Sequence, residues 1–253
     1  MLPAAHYNSP KEPNKVLTLY EDSLGAFKWI LLTQNSSLNY FSNENREIVI
    51  SCLKSSCTIR IKGEGYKLNV KDVIYIPPGS ERIDIRTNKE ESLVVIGEGE
   101  SDYKGKVYVK RFNEVSPIES GYKGYRRHIY VLIGENDPGK RLLAGFTEGM
   151  PGEWTSYPPH KHDDKLEIYV YYGLKKGFGI QIVEDEEKFT AFKVKDYDAV
   201  IFHRGYHPNV PSPGSKICYL WILCQKEGKK NLSVEIHPEY KDIPIGKTHL
   251  KRD

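Results

Sequence analysis

No run of about 18 apolar residues occurs anywhere in this chain of 253 residues, so no transmembrane helix is expected. The opening stretch MLPAAHYNSPKEPNK lacks both the basic lead and the apolar segment of a secretory signal, and the expected location is the cytoplasm. An excess of one charge is also missing. The net charge is only +3, and basic residues are interspersed with acidic ones, as in GKKNLSVEIHPEYKD. Neither nucleic acid nor a membrane is therefore an expected partner. Cysteine is sparse. Cys52, Cys57, Cys218 and Cys224 show no CxxC spacing and lie in or beside apolar runs such as KICYLWILC. They are expected to be reduced core thiols, and nothing in the sequence argues for a Cys52–Cys57 bridge.

Helical periodicity is the last shortage, with short turns expected only near the ends, around Pro238–Tyr240. What the chain has instead is strands. FKWILL, REIVISCL, CTIRIKG, DVIYIP, LEIYVYY, GFGIQIV, DAVIFH and ICYLWILC are short β-branched and aromatic runs separated by Gly, Pro, Asn and Asp. Closing such sheets removes exposed edges, which favours a barrel or jelly roll.

The chain also repeats itself. GYKLNVKDVIYIPPGSERIDI and FTAFKVKDYDAVIFHRGYHPNV share the order strand, turn, apolar strand, turn, about half the chain apart. The Gly- and Ser-rich stretch SPIESGYKGYRR marks the boundary near residues 117–125. The expected organisation is an N-terminal barrel over residues 1–118, a C-terminal barrel over 119–227 and a tail over 228–253.

The second unit holds a distinctive cluster. In SYPPHKHDDKLEIYVY, His160 and His162 are i and i+2, so they share a face if the segment is extended, which Pro158 and Pro159 favour. Glu167 follows a turn at Asp163-Asp164-Lys165 and can face back onto both imidazoles. His207 follows the turn HRGYH and can close the set. Three imidazoles and one carboxylate suit one divalent ion of Zn, Mn, Fe, Co or Ni, with coordination positions left open. His203 is expected to be a non-ligand. The equivalent stretches of the first unit, PPGSERI and REIVISCLKSSC, contain no histidine, so that half is expected to be structural or an interface.

HxH, four residues, Glu and a later Gly-x-His resemble the two-part metal motif of the cupin superfamily. The wider order REIVISCL, DVIYIPPGS, GYRRHIYVLIG, GEWTSYPPHKHD, LEIYVYY, GFGIQ, HRGYHP and CYLWIL, over about residues 20–225, resembles the 5-deoxy-glucuronate isomerases of inositol catabolism. That resemblance implies an all-β bicupin of two tandem jelly-roll β-barrels, with metal only in the second. It implies an aldose–ketose isomerase converting 5-deoxy-glucuronate to 5-dehydro-2-deoxy-gluconate. The short loop DDKL is similar instead to the 4-deoxy-5-hexosulose-uronate ketol-isomerases, so another uronate is the alternative substrate; a metal cupin dioxygenase is the alternative chemistry.

Isomerisation through an enediolate needs a Lewis acid and a proton shuttle. Glu167 is expected to serve in catalysis as well as ligation. By strand parity Tyr169 and Tyr171 share its face, and Gln181 in GFGIQIV is a further hydroxyl-recognising candidate. A small sugar-acid substrate carries a carboxylate, for which Arg126, Arg127 and Lys161 are the candidate cations and Tyr206 a neighbouring contact. A homo-oligomer, paired through exposed strands, is compatible with this reading. The tail KDIPIGKTHLKRD has no counterpart in the resemblance and is expected to be flexible.

Overall fold

The computed structural model describes residues 3–80, 82–87, 90–246 and 251–252. Among these there is no α-helix; the secondary structure is strand, with 3₁₀ turns at Phe112–Glu114 and Pro238–Tyr240. No helix among the described residues is long and apolar enough to cross a membrane.

The strands form two jelly-roll sandwiches, the bicupin arrangement. In the first, a six-stranded sheet (Tyr108–Lys110, Val73–Ile76, Arg46–Leu53, Ser92–Glu100, Gly25–Leu32, Val16–Glu21, in spatial order) faces a four-stranded sheet built from Ser37–Phe41, Arg82–Arg86, Cys57–Ile61 and Glu64–Leu68. In the second, the large sheet has Lys165–Tyr172 and Cys218–Gln225 at its centre and Leu142–Gly149 and Arg127–Ile133 beyond them. Its small sheet is Phe189–Val194, Gly179–Glu184 and Asn209–Pro211. Ala4–Tyr7 belongs to the second sandwich, since it pairs antiparallel with Ala199–Phe202.

The two large sheets pack face to face, which explains why their strands read as continuous apolar runs rather than as alternation. Along Arg46–Leu53, Ile48 and Ile50 fill the first sandwich, while Val49 and Leu53 enter a core shared with Leu166, Ile168, Val170 and Ile222 of the second. The sheets approach closely at Gly97, where a Cβ would lie 2.7 Å from Ile222 Cγ2, so any side chain there would push them apart. A buried carboxylate crosses the same junction. Glu47 Oε1 accepts the N–H groups of Arg141 (2.6 Å) and Leu142 (2.9 Å), and Oε2 accepts that of Lys140 (2.8 Å) and the Tyr75 hydroxyl (2.9 Å). Four donors satisfy a charge that burial would otherwise penalise by several kcal/mol.

Two expectations are corrected. Cys52 and Cys57 are joined as a disulfide, because the turn containing Lys54 (φ 69°) folds the chain back and brings both sulfurs together at the first sandwich's core. Cys218 and Cys224 are free and buried. The described part of the tail KDIPIGKTHLKRD is tied to the fold: the Gly121 N–H donates to the Ile245 carbonyl (3.0 Å), the Tyr125 hydroxyl to the Pro244 carbonyl (2.9 Å), and Lys251–Arg252 pairs parallel with Ser233–Val234. Ser233–Ile236 pairs antiparallel with His160–Lys161, and the Leu232 N–H donates to Glu135 Oε1 (2.7 Å). Residues 247–250 and 253 of that tail lie outside the described residues.

Candidate metal centre

Strand alternation sets up the centre. His160 and Lys161 pair with Ile236 and Glu235, so His160 and His162 turn into the second sandwich while Lys161 turns out. A tight turn, with the Lys165 N–H donating to the His162 carbonyl (3.1 Å), returns the chain into Lys165–Tyr172 and carries Glu167 back beneath the imidazoles. His207 arrives from the far turn. Gly205 sits at φ 92°, and a Cβ there would be 2.8 Å from the Glu184 carbonyl oxygen, so glycine is what lets this turn close and aim His207 inward.

The ligand atoms of His162, Glu167 and His207 all lie within 4.8 Å of one another, and no second such cluster occurs among the described residues. Glu167 Oε2 is 2.7 Å from His162 Nε2 and 3.2 Å from His207 Nε2. His160 stands one step back from this triangle, its ring centre 5.1 Å from that of His207, on the wall of the same cavity.

Hydrogen bonding assigns the tautomers. His207 Nδ1 lies 2.9 Å from the Gly205 carbonyl and His160 Nδ1 lies 3.0 Å from the Pro158 carbonyl. A carbonyl only accepts, so both Nδ1 atoms carry protons, which leaves each Nε2 as the ring atom free to act as a ligand. This is the carbonyl-oriented histidine of metal sites. His207 Nε2 is buried, has no hydrogen-bond partner and faces a carboxylate oxygen. At that distance the two atoms repel unless a proton or a metal cation lies between them. The residues therefore fit a divalent ion, held by His162, Glu167 and His207 with His160 at hand.

Charge states agree. Burial pushes Glu167 up, but the imidazoles of His162 and His207 outweigh it and hold the carboxyl at about 2, hence ionised. Burial, reinforced by the neighbouring imidazoles, keeps His160 well below the ordinary histidine value; burial also lowers His162, against the pull of Glu167. The sign for stability follows. As pH falls below about 6.5, the unfolded chain protonates these histidines before the folded one does, so the metal-free protein loses stability down to the lowered folded values. Glu167 adds a loss in the same direction between 4.5 and about 2. The thermal midpoint of metal-free protein should fall between about pH 7 and pH 5, and His160→Gln should shrink that fall. An unchanged profile in the variant would contradict the assignment of a neutral buried His160.

The cavity above the centre has two kinds of wall. Arg127, Thr147, Ser156, Tyr169 and Tyr219 bring polar groups to its lining; Ile129, Leu223 and Leu232 bring aliphatic side chains and Trp221 an indole. Arg127 is 3% exposed, and its Nη1 donates to the Tyr157 carbonyl. No carboxylate pairs with it among the described residues. Tyr169, expected on this wall, is there, with its hydroxyl 3.3 Å from Ser156 Oγ and its ring stacked on Tyr219 at 4.0 Å.

Several expected residues lie elsewhere. Tyr171 donates to Gln181 Oε1 (2.8 Å), and Gln181 Nε2 donates to the His207 carbonyl (2.8 Å); the pair braces the His207 turn from outside the cavity. Gln181 also bonds Asn209 (3.0 Å) and the Ile182 carbonyl (2.8 Å), which leaves it nothing for a substrate hydroxyl. Arg126, one residue before the strand Arg127–Ile133, is largely exposed and pairs with Glu153. Lys161 pairs with Asp163 (3.0 Å) and Glu235 (3.5 Å), and the Tyr206 hydroxyl donates to Glu235 (3.0 Å), so both belong to the outer surface. His203 packs on Tyr20, ring centres 5.2 Å apart, away from the centre. Of the residues not anticipated, Tyr219, Trp221 and Leu223 were readable as one face of CYLWILCQ; Ser156 (φ 52°) and Leu232 carried no signal.

The first sandwich fills the equivalent place differently. Glu167 lies opposite Phe202 and Leu223; its counterpart Ile48 lies opposite Ile76 and Glu98. There Glu98 accepts from Tyr40, Ser42 (3.0 Å), Arg46 (2.8 Å) and Lys28 (3.4 Å). The side-chain cations of Lys28 and Arg46 stand against that buried carboxylate.

The KduI/IolB family model matches residues 15–243. Among curated proteins, the chain is 25% identical over 242 residues to the 5-deoxy-glucuronate isomerase of Geobacillus kaustophilus, covering 85% of this chain and 86% of that one. It is 26% identical over 166 residues to the 4-deoxy-L-threo-5-hexosulose-uronate ketol-isomerase of Opitutus terrae, covering 64% and 60%. The crystal structure of an IolB-like protein from Salmonella typhimurium LT2 superposes with a TM-score of 0.83 at 16% identity, over 94% of this chain and 98% of that one.

Proposed function

This chain belongs to the KduI/IolB family, and on that premise we propose that it is a metal-dependent aldose–ketose isomerase of an open-chain uronate, converting 5-deoxy-glucuronate to 5-dehydro-2-deoxy-gluconate in inositol catabolism. The observation that carries the reading is the pairing, in one cavity, of a histidine–carboxylate centre with a buried arginine that lacks a carboxylate partner among the described residues. A sugar acid with a carbonyl at one end and a carboxylate at the other satisfies both.

His162, Glu167 and His207 would hold the ion, with His160 beside them, and a divalent ion bound there supplies Lewis-acid polarisation of adjacent carbonyl and hydroxyl oxygens. Arg127 orients the substrate through charge-assisted hydrogen bonds to its carboxylate. Burial pushes the Tyr169 phenol well above its ordinary value, so it serves as a donor to a sugar oxygen and not as a base. Glu167, ionised and counted among the residues that would hold the ion, has its carboxyl held at about 2 and is too weak a base for the proton that moves between neighbouring carbons, so its role is ligation. The apolar wall excludes water, which protects the enediolate and strengthens each polar contact.

The test is an anaerobic assay of protein loaded separately with Zn, Mn, Fe, Co or Ni on 5-deoxy-glucuronate, 4-deoxy-5-hexosulose-uronate and glucuronate. Ketone formation from 5-deoxy-glucuronate without oxygen is expected. Turnover of 4-deoxy-5-hexosulose-uronate alone would move the substrate assignment, and oxygen-dependent turnover would replace the isomerase reading with an oxygenase one.

A further inference from the structure

His162 and Glu167 are joined by one short turn, but His207 reaches the centre from a separate part of the chain. Its ring is aimed by the Gly205 carbonyl, and its backbone is held by a buried chain of side-chain amides. Gln181 Nε2 lies 2.8 Å from the His207 carbonyl oxygen, 3.1 Å from that of Pro208 and 2.8 Å from that of Ile182. Three acceptors thus converge on one nitrogen with two hydrogens. On the other side, Gln181 Oε1 accepts from the Tyr171 hydroxyl (2.8 Å) and from Asn209 Nδ2 (3.0 Å). The amide has one allowed orientation, because a flip would set its oxygen against three carbonyls. Asn209 is fixed in turn. It is the cross-strand partner of Gln181, its Oδ1 accepts from the Thr155 hydroxyl, and Thr155 is also hydrogen-bonded to Tyr219 on the cavity wall. Tyr171, Gln181, Asn209 and Thr155 are all fully buried, so a bond lost here is not replaced by solvent.

We propose that Gln181 is a positioning residue for the metal centre: its amide, locked by Asn209 and Tyr171, sets the backbone of His207 so that Nε2 stays aimed at Glu167, and through Asn209 and Thr155 ties that ligand to the Tyr219 wall. The inference rests on the reading of His162, Glu167 and His207 as metal ligands and needs no assumption about the substrate. A sandwich interior can be filled with carbon at such positions. A polar network there, with every member satisfied, instead specifies one arrangement of the atoms it holds. Groups that orient a ligand from behind are worth about 10- to 100-fold in metal affinity.

Cobalt(II) is the probe, because its visible absorption reports ligand geometry and requires no turnover; its affinity is read by competition with a chromophoric chelator. Gln181→Met keeps the length of the side chain and removes both polar atoms. It should bind cobalt about 10- to 100-fold more weakly than the unaltered protein and with an altered spectrum. Asn209→Asp sets a carboxylate oxygen against Gln181 Oε1 and should lose affinity to a similar extent. Tyr171→Phe removes one of the two donors to Gln181 Oε1 and leaves the amide orientation forced, so its cobalt affinity should stay within about threefold of the parent's. Gln181→Met with unaltered affinity and spectrum would overturn the proposal, as would a loss in Tyr171→Phe as large as that in Gln181→Met. A lowered thermal midpoint with an unaltered cobalt spectrum would make Gln181 structural only and overturn it equally. Should Gln181→Met melt below the assay temperature, Asn209→Asp decides by the same readouts. Unaltered protein that binds no cobalt would overturn the metal-centre reading and this proposal with it. Absence of turnover in the anaerobic assay together with the expected order of cobalt affinities would fault the isomerase reading alone.

Discussion

His162→Ala should leave both sandwiches folded, remove bound metal, and lower isomerisation by about a thousandfold or more, whereas His203→Ala should keep its metal and its activity. The magnitude follows from what the ion contributes. Lewis-acid stabilisation of a developing oxyanion supplies several kcal/mol, and each 1.36 kcal/mol is about a factor of ten in rate. The contrast follows from geometry. His162 Nε2 lies 2.7 Å from Glu167 Oε2 inside the triangle that includes His207, while the His203 ring packs on Tyr20. Elemental analysis of the two purified variants reads the metal directly. Equal loss from both, or full metal in His162→Ala, would show that the triangle is not the ligand set.

Arg127→Met should cut kcat/KM on 5-deoxy-glucuronate by about 30- to 4000-fold, mainly through KM, with metal content unchanged. Losing one partner of a buried charge pair costs about 2–5 kcal/mol, at about 1.4 kcal/mol per factor of ten. Stability should move the other way or not at all. Burial lowers the Arg127 pKa, so carrying that cation uncompensated costs the substrate-free protein free energy. Methionine keeps most of the volume and removes the charge. Thermal unfolding without substrate therefore separates two roles. A variant that binds substrate normally but melts well below the parent would make Arg127 a structural prop for the Tyr157 carbonyl.

Much of the centre was legible because its signals are local. HxH places two imidazoles on one face by the two-residue period of a strand, and the short turn at Asp163-Asp164-Lys165 can only return the next strand alongside. The glycine of HRGYH marks the turn that aims His207. Parity served Tyr169 but failed Tyr171. Both face inward, yet the cavity ends between them, and Tyr171 meets Gln181 in packed interior. Arg126 and Arg127 are adjacent and chemically alike, and only the start of pairing with Leu142–Gly149 decides which one turns in. Lys161 and Tyr206 were drawn in by closeness in sequence to ligands, whereas alternation and the nearby Glu235 hold them outside.

The amino-acid sequence by itself determined the class of fold, its internal repetition, the half that carries the imidazoles and which histidines and carboxylate converge there. Each of these depends on alternation, turn residues and spacing within some tens of residues. The tertiary structure alone decided that Ala4–Tyr7 crosses to the second sandwich, that Cys52 meets Cys57, that Leu232 roofs the cavity and that Arg127 stays without a carboxylate. These are contacts set by how finished sheets pack and by which distant segments reach a free edge. Periodicity carries no information about a partner 70 or 190 residues away, so a buried charge left open for a substrate becomes visible only once every neighbour is in place.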